Sequence, residues 1–132
     1  MFRFKKFKVY QDSLEFTKNI RYLTEKFPKN EMFGLKSQII RASDSVVLNI
    51  AEGSDRYSDK DFSRFLNQAV ASVAEVSACL DIALKCEYIS SILHEKYQTS
   101  CEEIYKQLKA FCSKVREDSV LKKEVSFSSS VL

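Results

Sequence analysis

From Val9 onward the apolar positions advance by steps that alternate four and three: Val9, Ser13, Phe16, Ile20, Leu23 and Phe27. An α-helix repeats about every 3.6 residues, so this alternation holds one seam toward a neighbouring helix at a shallow crossing angle. The pattern recurs. Leu35, Ile39, Ala42, Val46, Asn49 and Gly53 form the seam of a second segment, and Ile40, Val47 and Ile50 form another beside it. A helix apolar on two sides is expected to touch more than one neighbour. Phe62, Phe65, Ala69, Val73, Val76, Leu80 and Ala83 mark a third segment, and Leu93, Tyr97, Cys101, Ile104, Leu108, Phe111 and Val115 a fourth.

With one proline and two glycines in 132 residues, the links between these segments must be short, and short links set successive helices antiparallel. The predicted fold is therefore all-α, an antiparallel up-down-up-down four-helix bundle over residues 9–116. Pro28 closes the first helix, because the residue before a proline is pushed out of helical geometry. Ser58, with Asp61 three residues on, reads as the N-cap of the third helix, and Ser90 or Ser91 as the start of the fourth. The third helix is rich in small residues, including Ala69, Ala71, Ser72, Ala74, Ser77 and Ala78, which permit close approach of another backbone. Two flanking segments fall outside the bundle. Residues 1–8 read as a basic, aromatic arm, possessing no clean helical stripe and expected to be extended and docked by its phenylalanines. Residues 117–132, with the run "SFSSSVL", show no helical period and are expected to be a flexible Ser-rich tail.

At 45% hydrophobic and 30% charged residues, composition suits a single soluble domain. The apolar runs fall far short of the roughly 20 residues that span a bilayer, and "MFRFKKFKVY" has no continuous apolar stretch of a signal peptide. A cytoplasmic protein with no membrane partner is the expectation. Cys79, Cys86, Cys101 and Cys112 have no CxxC spacing and fall in helices near apolar positions, so they read as small buried hydrophobes.

The chemistry available is narrow. A di-iron carboxylate bundle needs two Glu-x-x-His pairs, whereas the single histidine, His94, has Ser91 three residues before it. No metal site, cofactor, nucleophilic triad or phosphate loop is indicated, and no catalytic residue is assigned. Glu52 and Glu75 are the carboxylates of interest, with Asn49, Gln68 and Ser72 placed to form a polar cluster between helices two and three. Structure alone accounts for such a cluster, with Asn49 or Glu52 bonded to backbone at the interhelix corner and Arg56 paired at the helix end. A hydrolase built on Glu52 and Glu75 would need both in one cleft.

Charge is uneven along the chain. The net charge is +3, yet residues 1–30 carry eight Lys or Arg against three Asp or Glu. Arg3, Lys5, Lys6 and Lys8 alternate with Phe2, Phe4 and Phe7, which combines phosphate-neutralising charge with stackable rings.

"FKVYQDSLEF", "FPKNEMFGLKSQIIRASDSVVLNIAEGSDRYSDKDFSRFLNQAVASVAEV" and "CEYIS" stand in an order and spacing that resemble the four-helix-bundle proteins encoded within intervening sequences of bacterial 23S ribosomal RNA genes. The resemblance spans about residues 4–115, and Phe27-Pro28, Glu31, Gly34-Leu35, Gln38, Arg41-Ala42, Asn49 to Gly53 and Arg56 carry it. It implies an up-down bundle that associates as a homopentamer, in a group for which no catalytic activity is established. The group also resembles the accessory variability proteins of diversity-generating retroelements, pentameric barrels that bind nucleic acid and a reverse transcriptase. That likeness implies a ring, RNA or DNA as ligand, and a protein partner such as a reverse transcriptase. Asp44 departs from the pattern, standing where a small residue is more usual, as does the Ser-rich tail. Asn49, Glu52, Gly53 and Arg56 form the group's most recognisable corner, expected to fix the link between helices two and three. The expectation is a non-enzymatic, ring-forming protein that binds nucleic acid through Arg3, Lys5, Lys6 and Lys8. The alternative is a scaffold that docks a partner protein on its apolar helix faces.

Overall fold

The computed structural model describes the backbone of residues 1–131 and the side chains of residues 1–118. Four helices make up the fold: α1 (Lys8–Thr24), α2 (Leu35–Ser54), α3 (Asp59–Lys85) and α4 (Ser91–Val131). α2 packs broadly on both α1 and α3, α3 packs broadly on α4, and a narrower α1–α4 contact closes the bundle. The two-sided helix thus meets its neighbours inside one chain, since Val47 and Ile50 are buried together with Ile39, Ala42 and Val46.

The seams read from the sequence become the core. Val9, Phe16, Ile20, Leu23 and Phe27 meet Leu35, Ile39, Val46, Phe62, Leu66, Val73, Leu80, Tyr97, Ile104 and Leu108 in one continuous cluster. Ser58 caps α3 by accepting from the Asp61 amide at 3.1 Å, and Ser90 does the same for Leu93 at 3.2 Å ahead of α4. By length and composition α3 is apolar enough to cross a membrane. Phe62, Leu66, Ala69, Val73, Val76, Leu80 and Ala83 along it are buried in the bundle.

Three expectations change. The arm is not extended: Arg3–Lys6 forms a 3-10 turn, and α1 already begins at Lys8. Aromatic contacts fold it, with Phe2 stacked on Phe4 at 5.5 Å, Phe4 edge-on to Tyr10 at 4.9 Å, and Phe7 set against Phe111 at 4.9 Å and Phe62 at 6.4 Å. Nor does helix end near Glu117, because α4 continues to Val131. No glycine or proline follows Gly53 to stop it, and the Leu, Lys and Glu of "LKKE" are good helix formers. The expected flexibility of that tail concerns residues whose side chains lie outside those described. Third, Cys86 is exposed at the end of α3, whereas Cys79, Cys101 and Cys112 are buried. Burial pushes the Cys101 thiol up to about 12, which keeps it protonated.

Candidate nucleic-acid interface

One end of the bundle is built from the first turn of the chain, the end of α2 and the start of α3. Gly53 lies in the last turn of α2, and a Cβ there would stand 2.6 Å from the Phe65 Cβ and 3.0 Å from the Phe62 ring. The missing side chain lets α3 come against α2, one residue before that helix ends at Ser54. Beyond Ser54 only residues 55–58 separate the two helices.

Arg3 ties the arm to this corner. Its Nε and Nη2 donate to the Ser54 carbonyl at 3.2 and 3.0 Å, satisfying a carbonyl in the last turn of α2, and its guanidinium lies over the Phe62 ring at 5.4 Å. Arg3 is thus a structural clamp as well as a cation. Arg56 lays its guanidinium over the Phe65 ring at 4.5 Å, and Arg64 approaches the same ring at 5.7 Å. Lys5 and Lys6 are exposed in the 3-10 turn, and Lys60 is exposed in the first turn of α3. Lys8 is drawn away, since it pairs with Asp12, whose carboxyl is held below its usual range by Lys8 and by Gln107 of α4. Between Arg56 and the Ser58 cap stands Tyr57, fully exposed.

Of the candidates named from the sequence, Arg3, Lys5, Lys6, Gly53 and Arg56 therefore converge, and Lys8 does not. Asn49 acts one turn further along α2, donating to the Ser45 carbonyl at 2.8 Å and to its hydroxyl at 2.9 Å. Ser72 of α3 donates to that same hydroxyl at 2.9 Å. This short polar chain links α2 to α3, but Asn49 bonds backbone within α2 and not at the interhelix corner, and Arg56 lies on the Phe65 ring where a pairing at the helix end was expected. Glu52 takes no part in it. Gly53 meets α3 at Phe65 and Ser45 meets it at Ser72, so Glu52 is level with about Leu66 and Glu75 sits about nine residues beyond it, about 14 Å along the axis. Both carboxylates are exposed. They share no cleft, and the hydrolase arrangement is overturned.

Sequence reasoning missed Lys60, Arg64 and Tyr57 as members of this surface. Tyr57 was legible in principle, because a large ring held in a four-residue link between two caps has little room to bury.

Elsewhere the polar groups do structural work. Arg21 donates to both carboxylate oxygens of Asp44 at 2.8 Å, and Thr17 donates to Oδ1 at 2.7 Å, so the residue that departs from the family pattern stitches α1 to α2. Arg21 holds the Asp44 carboxyl below its ordinary range. His94 faces the Asp81 carboxylate at 2.8 Å and Gln98 at 3.3 Å between α3 and α4. Among the described residues no group of His, Cys, Asp and Glu is placed to hold a metal. On the outer face of α2, Met32, Phe33, Ile40 and Leu48 line an open groove of about 660 Å³, edged by Lys36, Arg41 and Glu52.

The fold and this surface define a class: an antiparallel four-helix bundle with a clamped basic and aromatic pole and an open apolar groove on its second helix. The model of the 23S rRNA-intervening sequence protein family matches residues 5–110, and the chain belongs to that family. A similar solved structure is a crystal structure from Bacteroides thetaiotaomicron, described as a protein with unknown function from the S23 ribosomal protein family. It is 30% identical, with a TM-score of 0.73 over 79% of this chain and 97% of that one. A search of curated proteins found no match.

Proposed function

We propose that this protein is a non-enzymatic, homo-oligomeric bundle, a pentameric ring, that binds RNA or DNA through its basic pole. The observation that carries the reading is the convergence of Arg3, Lys5, Lys6, Arg56 and Lys60, from three segments of chain, on one end of the fold. Glu52, Asp55, Asp59 and Asp61 stand beside Arg56 and Lys60, with Asp61 paired to Arg64 at 3.5 Å, so the excess of cations comes from the arm, which holds no acidic residue before Asp12 although the net charge is only +3. A ring repeats the pole in every subunit, and affinity for a polyanion grows with the number of phosphates neutralised. Kinship with the accessory variability proteins, with a reverse transcriptase as a partner, belongs to the same reading.

The test is binding to labelled RNA and DNA across a salt series. Replacing Lys5, Lys6, Arg56 and Lys60 by Gln, with the Arg3 clamp kept, is expected to weaken binding and flatten the plot of log K against log salt by up to about 4 in slope. Absence of salt-sensitive binding at low ionic strength overturns the proposal. The groove on α2 supports a second reading, in which a partner protein docks there and nucleic acid is incidental. In that case the Gln variant retains its partner in a pull-down.

A further inference from the structure

The pole presents more than charge. Tyr57 is wholly exposed, yet the link that carries it is held at both ends: Arg3 grips the Ser54 carbonyl on one side, and the Ser58 hydroxyl caps α3 on the other. The next residue back, Arg56, holds a flat guanidinium against Phe65 at 4.5 Å. Across the same end Phe2 is largely exposed and stacks on Phe4 at 5.5 Å with a 23° tilt, beside Lys5 and Lys6. A single exposed ring is ordinary on a protein surface. Two exposed rings and a stacked guanidinium, fixed on short supports among exposed lysines, form the combination on which unpaired bases stack while the backbone meets cations.

We infer that the pole selects single-stranded nucleic acid over duplex, with Tyr57 and Phe2 as base-stacking platforms. The inference rests on the nucleic-acid reading above and narrows it. In a duplex the base faces are already stacked on one another, so exposed rings gain nothing there. The lysines meet phosphate in either form. RNA and DNA single strands share this chemistry, and the 2′-hydroxyl separates them only where a group reads it.

The measurement is fluorescence anisotropy with labelled single-stranded RNA, single-stranded DNA and duplex of one sequence, each about 20 units long so as to exceed the roughly 4–16 nucleotides a single-strand site covers. Both single strands are expected to bind more tightly than the duplex. Tyr57→Ala should weaken single-strand binding roughly five- to a hundredfold, leave duplex binding unchanged, and be rescued by Tyr57→Phe. Because Tyr57 is fully exposed, the variant should keep its helicity, which circular dichroism checks. Equal affinity for duplex and single strands, or an unchanged Tyr57→Ala, overturns the stacking inference and leaves a phosphate-binding pole. No binding to any of the three overturns the nucleic-acid reading itself.

Discussion

Gly53 and Gly34 are the two glycines of the chain, and they differ in what opposes them. A methyl at Gly53 would meet the Phe65 Cβ at 2.6 Å, an atom anchored to the α3 backbone, so the helices would have to separate. At Gly34 the obstacle is the Glu31 Oε1 at 2.5 Å, an oxygen that also accepts from the Leu35 amide, so it can move only by giving up that bond. Alanine gains about 1 kcal/mol of helix propensity over glycine, while overpacking a tight contact costs about 1–3 kcal/mol or more. Gly53→Ala is therefore expected to lose about 1–2 kcal/mol net in urea denaturation, with an unchanged m-value. A gain of stability would show that the Phe65 contact does not govern Gly53. "AEGSD" marks the corner, but not the side chain that crowds it. Phe65 lies on the next helix, and nothing in local spacing shows which side chain will face a glycine.

At the scale of the element, caps and seams were readable because they depend on neighbours in sequence: Ser58 with Asp61, Ser90 with Leu93, and the three-and-four steps that became the core. Anchors between distant segments were not. Arg3 on the Ser54 carbonyl spans 51 residues, and Tyr88 donates to Glu31 across 57. The second anchor organises the link between α1 and α2. Glu31 accepts from the Leu35 amide at the start of α2 with one oxygen and from the Tyr88 hydroxyl with the other, at 3.2 and 2.8 Å, while Phe27 packs on the Tyr88 ring. The hydrogen bond to Glu31 is the main reason that the Tyr88 hydroxyl is pushed up to about 12 from the usual 10.0. Between those values the folded chain binds a proton that the unfolded chain has released, so stability must fall as pH rises. The contribution is complete below about pH 10 and lost through about pH 12. Tyr88→Phe should remove that part of the alkaline decline, seen as wild-type and variant urea midpoints converging across this window. Parallel curves would mean that the Glu31 bond does not hold the phenol. The same limit explains α4: with no stop signal the backbone continued as helix, although the apolar period had faded.

For the whole molecule, the question is which surface one chain leaves unfinished. Seam residues identify the interior of a bundle, but Leu48 sits off both seams of α2, and Met32 and Phe33 fall in the link before it, so periodicity gives no reason to group them. Folding brings the three together with Ile40 as the groove, leaving Phe33 93% and Leu48 57% exposed. Apolar surface of this kind gains about 25 cal/mol for each Å² removed from water, and a stable interface hides about 800 Å² per partner, more than the groove alone supplies. Assembly through this face would therefore enlist flanking groups such as Lys36, Arg41 and Glu52, whose mixed signs suit a symmetric or ring contact. Leu48→Lys places a charge at the centre of the groove without touching the core. If copies of the chain meet there, light scattering after size exclusion should give a multimer for wild type and a monomer for Leu48→Lys, with helicity preserved in both. A wild-type monomer at micromolar concentration would end the ring reading. A multimer indifferent to Leu48→Lys would move the interface elsewhere and leave the groove open for a partner protein. The basic pole makes the result matter for binding as well, because a monomeric Leu48→Lys that keeps every lysine should lose avidity for long strands while retaining its affinity for short ones.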